Sequence, residues 1–288
     1  MKSGLIMEGG AMRGMFTCGV IDVFMEEGID FDGAAGISAG AVFGCNFKSR
    51  QIGRPIRYNK NYCRDPRYCS MRSLLITGDL YGVDFCYREL PDILDPFDAA
   101  AFKENPMDFY VGATNVGTGK ILFHNCRDGG ENDIQWMRAS ASMPIVSRSV
   151  QIGKYTLLDG GIADPIPFRF MEKKGYDRNV IILTQPLGYR KKKSAPAIQA
   201  LLRRYPAVVR TMAVRHRIYN RQLDQIRERE LAGKAIVIRP AEDLRIGHTE
   251  KNPRELERVY QAGRTEAKKQ LEKIRSFMMH DADKAQLW

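Results

Sequence analysis

The chain contains 288 residues, 44% of them hydrophobic and 27% charged, which is ordinary for a soluble globular protein of one large or two modest domains. No run of 18 apolar residues occurs, so no transmembrane helix is predicted, and the apolar stretch near the N-terminus is too short for a signal peptide. The six scattered cysteines form no CxxC pair and are typical of reduced thiols, not of a disulfide scaffold or a zinc site. We therefore expect a cytoplasmic protein.

The positive charge is concentrated in two segments. The formal net charge is +11, to which residues 190–230 contribute +9 and residues 48–72 contribute +7, so the rest of the chain is acidic. Basic segments attract phospholipid surfaces, nucleic acid or acidic substrates. In residues 48–72 arginine and lysine are interspersed with tyrosine, which suits a phospholipid interface, a nucleic acid or an irregular solvated loop.

The predicted elements alternate between strand and helix. Such alternation predicts a three-layer α/β/α fold, in which helices cover both faces of a mostly parallel central sheet. The apolar stripe in the first of two C-terminal helices favours packing against this sheet over lying on a membrane, and Pro206 is expected to kink or end that helix. In chain order we predict a strand at 3–7, a helix at 12–27, a strand at 31–36, a helix from 39, an irregular segment at 48–80, a strand pair at 108–114 and 120–125, a helix at 133–143, strands at 155–161 and 178–184, a helix at 196–231, a strand at 234–240 and a helix at 252–279.

A serine lies between two glycines where the second strand gives way to a helix. The pentapeptide consists of Gly36, Ile37, Ser38, Ala39 and Gly40. Such a sequence forces the serine into a sharp turn and presents its hydroxyl at a helix N-terminus, where N–H groups favour a developing anion. The sequence predicts either a nucleophile elbow or a simple tight turn.

A glycine-rich turn follows the first strand. Its backbone N–H groups can hold a phosphate or stabilise an oxyanion. An alternative is a dinucleotide-binding turn, for which Asp30 and Asp32 lie at a suitable distance along the chain, although alanine replaces the glycine that lets a pyrophosphate approach. A βα turn without a ligand is a third interpretation. The turn consists of Gly9, Gly10, Ala11, Met12, Arg13 and Gly14.

The two turns become informative together. If the first two strands are adjacent and parallel, both turns emerge at the carboxyl edge of the sheet, where ligands bind in such folds. Asp159 ends a later strand and precedes Gly160 and Gly161, so its carboxylate is expected at the same edge. A free aspartate, with a pKa of about 3.9, is a weak base unless burial raises that value.

A triad of serine, aspartate and histidine is the other arrangement that the chain order allows. The candidate histidines are His216, His248 and His280, none of which has a distinctive local motif. His124 lies in the middle of a predicted strand and is expected to be packed or paired. The base for Ser38 is therefore left open between Asp159 alone and an aspartate–histidine pair.

Four motifs, EGGAMRG, GISAG, ASASMP and LLDGG, occur in an order and at spacings that resemble the patatin-like phospholipase family over residues 4–185. The resemblance implies Ser38 as nucleophile, Asp159 as base without a histidine, and an oxyanion hole from the backbone of residues 9–11, with Arg13 holding the loop. Two positions depart from the family pattern, because Ala11 replaces a third glycine and Asp164 replaces an asparagine.

We interpret residues 1–185 as the catalytic core and residues 186–288 as a basic, mainly helical extension packed on the same domain. The resemblance implies hydrolysis of a phospholipid or lysophospholipid acyl ester without a metal or organic cofactor, and we expect peripheral contact with an anionic membrane surface, not with nucleic acid. Two other classes remain open: a dinucleotide-binding enzyme that uses the 9–14 loop, and a non-catalytic binder of anionic lipid or nucleic-acid surfaces.

Overall fold

The computed structural model describes residues 1–279, apart from the side chains of residues 196, 198 and 199. The described strands are β1 (Lys2–Met7), β2 (Gly33–Ile37), β3 (Asp108–Asn115), β4 (Ile121–Cys126), β5 (Val150–Ile152), β6 (Tyr155–Asp159), β7 (Tyr176–Ile182) and β8 (Ala235–Ile238). They form one sheet in the order β5-β6-β3-β2-β1-β7-β8, with β4 also paired to β3.

The central part of the sheet is parallel. Strands β8, β7, β1, β2 and β3 run in one direction, whereas β3, β4, β5 and β6 are joined by antiparallel pairing. This confirms the prediction of a mostly parallel sheet. Met7 at the end of β1 is level with Gly36 near the end of β2, so the turns after these two strands meet at one edge.

Helices cover both faces of the sheet, which confirms the three-layer architecture. Side chains alternate along β1, so that Leu5 and Met7 join a core with Phe16, while Ile6 points the other way and packs with Tyr219. No helix in residues 1–279 is long and apolar enough to cross a membrane. The α-helices are α1 (Gly14–Glu26), α2 (Ala39–Lys48), α3 (Arg54–Tyr62), α4 (Met71–Thr77), α5 (Ala99–Glu104), α6 (Glu131–Ser140), α7 (Phe168–Lys173), α8 (Pro196–Leu201), α9 (Pro206–Leu231) and α10 (Pro253–Met278).

The C-terminal helix α10 lies against α1 at very close range. A Cβ atom built on Gly19 would lie 2.0 Å from the Tyr260 carbonyl oxygen, and one built on Gly263 would lie 2.0 Å from the Phe16 carbonyl oxygen. The two backbones therefore touch at a crossing where only glycine fits. Helix α10 also contributes buried side chains such as Ile274 to the hydrophobic core around α1. The last described helix is therefore part of the main core of the protein.

Two predicted segments differ from the structure. Residues 48–80 were predicted to be irregular but contain α3 and α4, because Gly53 adopts a φ of 72° before α3 and the Ser70 hydroxyl accepts a hydrogen bond from the Ser73 N–H to cap α4. The helix predicted at 196–231 is two helices, α8 and α9, and the break lies just before Pro206, the residue expected to kink or end it, since proline is tolerated in a first helical turn but not further along.

Candidate active site

Ser38 occupies a strained turn between β2 and α2. Its φ of 54° and ψ of −119° lie in a region that non-glycine residues rarely adopt. The Ser38 carbonyl accepts hydrogen bonds from the N–H groups of Ala41 and Val42, and its own N–H donates to the Ser140 hydroxyl over 2.9 Å. The surrounding structure thus holds this serine in a conformation that a solvated turn would not keep, as a nucleophile elbow requires.

The glycines on either side of Ser38 are required by close packing. A Cβ atom on Gly36 would lie 2.3 Å from the Gly40 carbonyl oxygen, and a Cβ atom on Gly40 would lie 2.3 Å from the Met7 carbonyl oxygen. Between them, Ile37 and Ala39 are buried. The turn that carries Ser38 therefore packs directly against the end of β1.

The glycine-rich loop lies against the elbow. A Cβ atom on Gly9 would come within 2.9 Å of both the Ser38 Cβ and the Ile37 carbonyl oxygen, so glycine allows the loop to reach the serine. Gly10 then begins a 3₁₀ turn, closed by a 3.1 Å hydrogen bond from the Arg13 N–H to the Gly10 carbonyl. The predicted proximity of the loop and the serine is present.

The rest of this loop connects it to the helical layer. Met12 is buried, and Gly14 begins α1 in contact range of Ala39 and Phe43 on α2. Ala11 has a φ of 48°, the left-handed region that glycine adopts without strain. The position where the family resemblance expects a third glycine is thus a position whose backbone favours glycine.

Asp159 is buried at the end of β6, which pairs with β3. Its N–H donates to the Ser142 carbonyl over 2.8 Å, and one carboxylate oxygen accepts a 2.7 Å hydrogen bond from the Gly161 N–H. Gly160 has no room for a side chain, because a Cβ atom would lie 2.2 Å from the Gly112 carbonyl oxygen. The turn that follows Asp159 thus fixes its carboxylate in place.

The carboxyl of Asp159 faces the hydroxyl of Ser38. Burial raises the pKa of Asp159 above its ordinary value, although hydrogen bonding from Ser38, the charge of Arg215 and the N–H of Gly161 all act to lower it. A carboxylate with a raised pKa accepts a proton more readily than a solvated aspartate.

No histidine of the described residues hydrogen-bonds to the Asp159 carboxyl. His248 lies near the site, since burial and the charges of Arg13, Lys191 and Arg215 lower its pKa. His124 hydrogen-bonds through Nε2 to Asp133 over 2.7 Å and stacks on Trp136, which is the paired role expected of it. The Nδ1 atom of His216 is buried and, in residues 1–279, has no hydrogen-bond partner. His280 lies outside the described residues.

The geometry also argues against the dinucleotide interpretation. Asp30 and Asp32 both precede β2, so they lie at the amino edge of the sheet, whereas residues 9–14 follow β1 at the carboxyl edge. Asp32 accepts hydrogen bonds from the N–H and hydroxyl of Ser3, and Asp30 pairs with Arg50. An acid that contacts the ribose of a dinucleotide must share the edge at which the glycine-rich turn holds the pyrophosphate.

A largely apolar cavity opens beside Ser38. It holds ≈ 1150 Å³ of space free of protein atoms, part of it open to solvent. One wall is a π-helical segment at Phe85–Leu94, a rare conformation that is frequent at functional sites. The cavity therefore offers room for an apolar group next to the hydroxyl. Its lining includes Val42, Phe43, Tyr58, Tyr68, Leu90 and Met137.

Sequence reasoning missed the contribution of α9. The guanidinium of Arg215 donates to the Gly161 carbonyl beside the aspartate, and the Tyr219 hydroxyl donates to Glu8 just before the glycine-rich loop. The four-residue spacing of Arg215 and Tyr219 places them on one helix face. The sequence did not single out Arg215, because α9 and the segment before it contain many arginines and lysines with the same local pattern.

The chain belongs to the patatin-like phospholipase family, whose model matches residues 5–171, more than half of the chain. Residues 205–279 match a second model, described as a domain of unknown function, DUF6363. The family that the four motifs resemble is thereby established, and the second model covers all of α9 and α10.

Several curated proteins are similar to part of this chain. The uncharacterized protein YjjU of Escherichia coli K12 is 28% identical over 64% of this chain and 52% of its own length. Lysophospholipase NTE1 of Debaryomyces hansenii is 28% identical over 60% of this chain and 11% of its own length. The uncharacterized NTE family protein Rv1063c of Mycobacterium tuberculosis is 26% identical over 58% of this chain and 44% of its own length. The chain thus spans about half or less of the length of these relatives. Among solved structures, VipD from Legionella pneumophila aligns with a TM-score of 0.47 and 13% identity over 94% of this chain and 67% of its own.

Proposed function

We propose that this protein is a serine-dependent lipid acyl hydrolase of the phospholipase A or lysophospholipase type, with Ser38 as nucleophile and Asp159 as base. The observation that carries the proposal is the strained backbone of Ser38 beside the buried carboxyl of Asp159, whose pKa is raised by burial and lowered in part by Ser38. Family membership and the lysophospholipase name of one relative support a lipid substrate.

The proposed reaction has two stages. Asp159 takes the proton of the Ser38 hydroxyl while its oxygen attacks the acyl carbonyl. The protonated Asp159 then gives this proton to the departing alcohol, which leaves an acyl ester on Ser38. In the second stage Asp159 takes a proton from water, the hydroxide attacks the acyl ester, and Ser38 recovers its proton as the fatty acid is released.

The oxyanion of each stage is expected to lie between the glycine-rich loop and the N-terminus of α2. Backbone N–H groups of residues 9–12 and of Ala39 and Gly40 at the start of α2 are the candidate donors, and the dipole of α2 adds to the stabilisation. Gly9 and Gly10 let this loop approach the serine closely. In this proposal no metal or organic cofactor takes part.

The apolar cavity is proposed to hold the acyl chain. Its lining of aliphatic and aromatic side chains begins at Ser38 and Ala39 and continues to the π-helical wall. Burial of each methylene group contributes about 0.8 kcal/mol, so a chain of several carbons in this cavity supplies much of the binding free energy.

We further propose that α4 contacts an anionic membrane surface. Met71, Leu75 and Ile76 are 63%, 82% and 67% exposed, and no residue of this helix is buried. The helix lies within residues 48–80, whose first part is strongly basic, and it is followed by Tyr81, which lines the cavity. An exposed apolar helix that lies in the chain between a basic segment and a cavity-lining residue suits a lipid surface of negative charge.

The test is turnover of a lysophospholipid and a diacylphospholipid by the wild type and by Asp159→Asn. Removal of the base is expected to lower turnover by about 10²–10⁴-fold with the fold retained. Asp177→Asn, at an exposed position of β7, is the matched control and is expected to have wild-type turnover. Near wild-type turnover in Asp159→Asn refutes the dyad. A folded wild type that binds anionic vesicles without any turnover favours the non-catalytic binder instead.

A further inference from the structure

Three cationic side chains from separate elements converge beside the glycine-rich loop. Arg13 ends the 3₁₀ turn of that loop, Lys191 lies in the segment after β7, and Arg215 lies on α9. The charges of Arg215 and Arg13 both act on the Lys191 ammonium. We call these three residues the basic cluster.

Arg215 is held next to the proposed base. Its guanidinium donates to the Gly161 carbonyl, and Nη2 lies 3.4 Å from the position of a Cβ atom built on Gly161. The same built atom is 3.0 Å from Oδ1 of Asp159. The charged end of Arg215 therefore borders the dyad without entering the apolar cavity, whose lining does not include it.

Lys191 is held by the same helix. Its N–H donates to the Asn220 side chain over 2.8 Å, and its carbonyl accepts a 3.1 Å hydrogen bond from that side chain. Its Nζ atom lies 4.9 Å from the centre of the Tyr219 ring, one helical turn after Arg215. The segment after β7 is thus fixed so that the ammonium lies over the face of α9 that carries Arg215.

Two carboxylates, Asp159 and Glu8, act on the charge of Arg215, so the three positive charges of the basic cluster are only partly neutralised. Within residues 1–279, none of the three makes an ion pair with a carboxylate, and Nε of Arg13 is buried without a hydrogen-bond partner. Glu8 is near, but its carboxylate already accepts hydrogen bonds from the Thr184 N–H and the Tyr219 hydroxyl. Burial, and next the charge of Arg215, lower the pKa of Lys191 to about 8.

We propose that the basic cluster binds a phosphate group, namely that of the phospholipid headgroup, while the acyl ester lies at Ser38. This inference rests on the proposed function and adds to it a specific contact with the substrate. Partly buried cations that repel one another are stabilised by an anion, and phosphate offers several acceptor oxygens to three donors at once.

The position of the basic cluster suits a substrate whose acyl chain and headgroup bind on opposite sides of Ser38. The apolar cavity is walled by side chains of the core that contains Phe43 and Tyr58, on one face of the sheet, whereas Tyr219 beside the cluster belongs to the core on the other face. Ser38 lies at the sheet edge between them. A lipid whose acyl chain enters the cavity therefore directs its headgroup toward α9.

The test compares two substrates that differ only in the phosphate: a 1-acylglycerol 3-phosphate and the 1-monoacylglycerol with the same acyl chain. The ratio of their kcat/KM values is expected to exceed one in the wild type and to fall about tenfold in Lys191→Ala, the effect of losing one charge-assisted hydrogen bond. Lys191→Arg is expected to keep most of the ratio. Lys192→Ala, at the exposed neighbouring position, is the matched control and is expected to leave the ratio unchanged.

A ratio that is the same in the wild type and in Lys191→Ala overturns the proposal while the proposed hydrolase function stands. Inorganic phosphate is added as an inhibitor of monoacylglycerol hydrolysis. If it competes in the wild type but not in Lys191→Ala, and the substrate ratio is unaffected, the cluster binds free phosphate and the headgroup assignment is wrong.

If the wild type hydrolyses neither of these substrates nor the diacylphospholipid, the proposed function fails, and binding alone decides the role of the cluster. Calorimetry of Ser38→Ala with glycerol 3-phosphate is then compared with the same titration of Ser38→Ala combined with Lys191→Ala. Binding that is weakened about tenfold by the second change supports the phosphate site. Equal binding, or none in either protein, refutes it.

Discussion

The Tyr219 hydroxyl donates a buried 2.6 Å hydrogen bond to Glu8, a residue 211 positions earlier in the chain. Glu8 immediately precedes the glycine-rich loop and also accepts a 2.7 Å hydrogen bond from the Thr184 N–H. Helix α9 therefore supports the loop that borders the nucleophile. Part of the DUF6363 match thus contributes directly to the site that the patatin-like segment forms.

The first prediction concerns the strained alanine of the loop. Ala11→Gly is expected to raise the free energy of unfolding by about 1 kcal/mol, because glycine adopts the φ of 48° without steric cost. Urea unfolding measures the change. Ala100→Gly in α5 is the control and is expected to lower the free energy of unfolding by about 1 kcal/mol, since its position is helical. A destabilised Ala11→Gly contradicts the account.

The second prediction concerns the contact between loop and elbow. Gly9→Ala places a Cβ atom 2.9 Å from the Ile37 carbonyl oxygen and the Ser38 Cβ, so the loop must move away. A displacement of the order of 1 Å is expected to reduce turnover by about 10²-fold. Gly247→Ala is the control, because a Cβ atom there meets nothing within 4 Å. Equal turnover in both variants would show that the loop takes no part in the reaction.

The third prediction concerns Asp164, where the family resemblance expects asparagine. Burial raises the pKa of Asp164 to about 6, so the folded state binds its proton more tightly than the unfolded state does. The contribution of this group to stability therefore declines as pH rises from about 4 to about 6 and remains unfavourable above that range. Gln222 donates to Asp164 over 2.6 Å, while its own Oε1 is buried without a partner in residues 1–279, so an amide at 164 has an acceptor available.

Asp164→Asn is expected to be more stable than the wild type at pH 8 by roughly 2 kcal/mol and to lose most of that advantage at pH 4. Urea unfolding of both proteins at the two pH values gives the difference, in which the other titrating groups cancel. A difference that does not change with pH contradicts the raised pKa.

The fourth prediction concerns the exposed face of α4. Replacement of Leu75 and Ile76 by serine is expected to weaken binding to vesicles rich in anionic lipid by at least about tenfold, because two apolar side chains no longer enter the lipid. Leu231→Ser is the control, since Leu231 is 71% exposed at the far end of α9. Sedimentation with vesicles measures the binding. Equal losses in the two variants are incompatible with a specific role of α4.

Much of the fold and the core of the candidate site could be predicted from local sequence. Gly36, Gly40 and Gly9 are glycines because backbones touch there, and this requirement is visible as a motif. The alternation of short apolar strands with helices likewise predicted the parallel sheet. Local patterns carry these features because each depends on neighbours in the chain or on the edge at which parallel strands end.

The remaining features depend on contacts between distant segments. The raised pKa of Asp159 results from burial, which no local motif encodes. The role of Arg215 depends on where α9 docks, and the exposure of Leu75 depends on the absence of any element packed over α4 in the described chain. The helices in residues 48–80 were missed because α3 is polar, α4 is short, and their caps at Gly53 and Ser70 were not recognised.

The central claim is that Ser38 is an activated nucleophile, and a mass measurement tests it most directly. Wild type, Ser38→Ala and Asp159→Asn are incubated with a lipid-like fluorophosphonate and their intact masses are recorded. The account predicts one adduct on the wild type, none on Ser38→Ala and much slower labelling of Asp159→Asn. An adduct that persists on Ser38→Ala, or a folded wild type that never reacts, contradicts it.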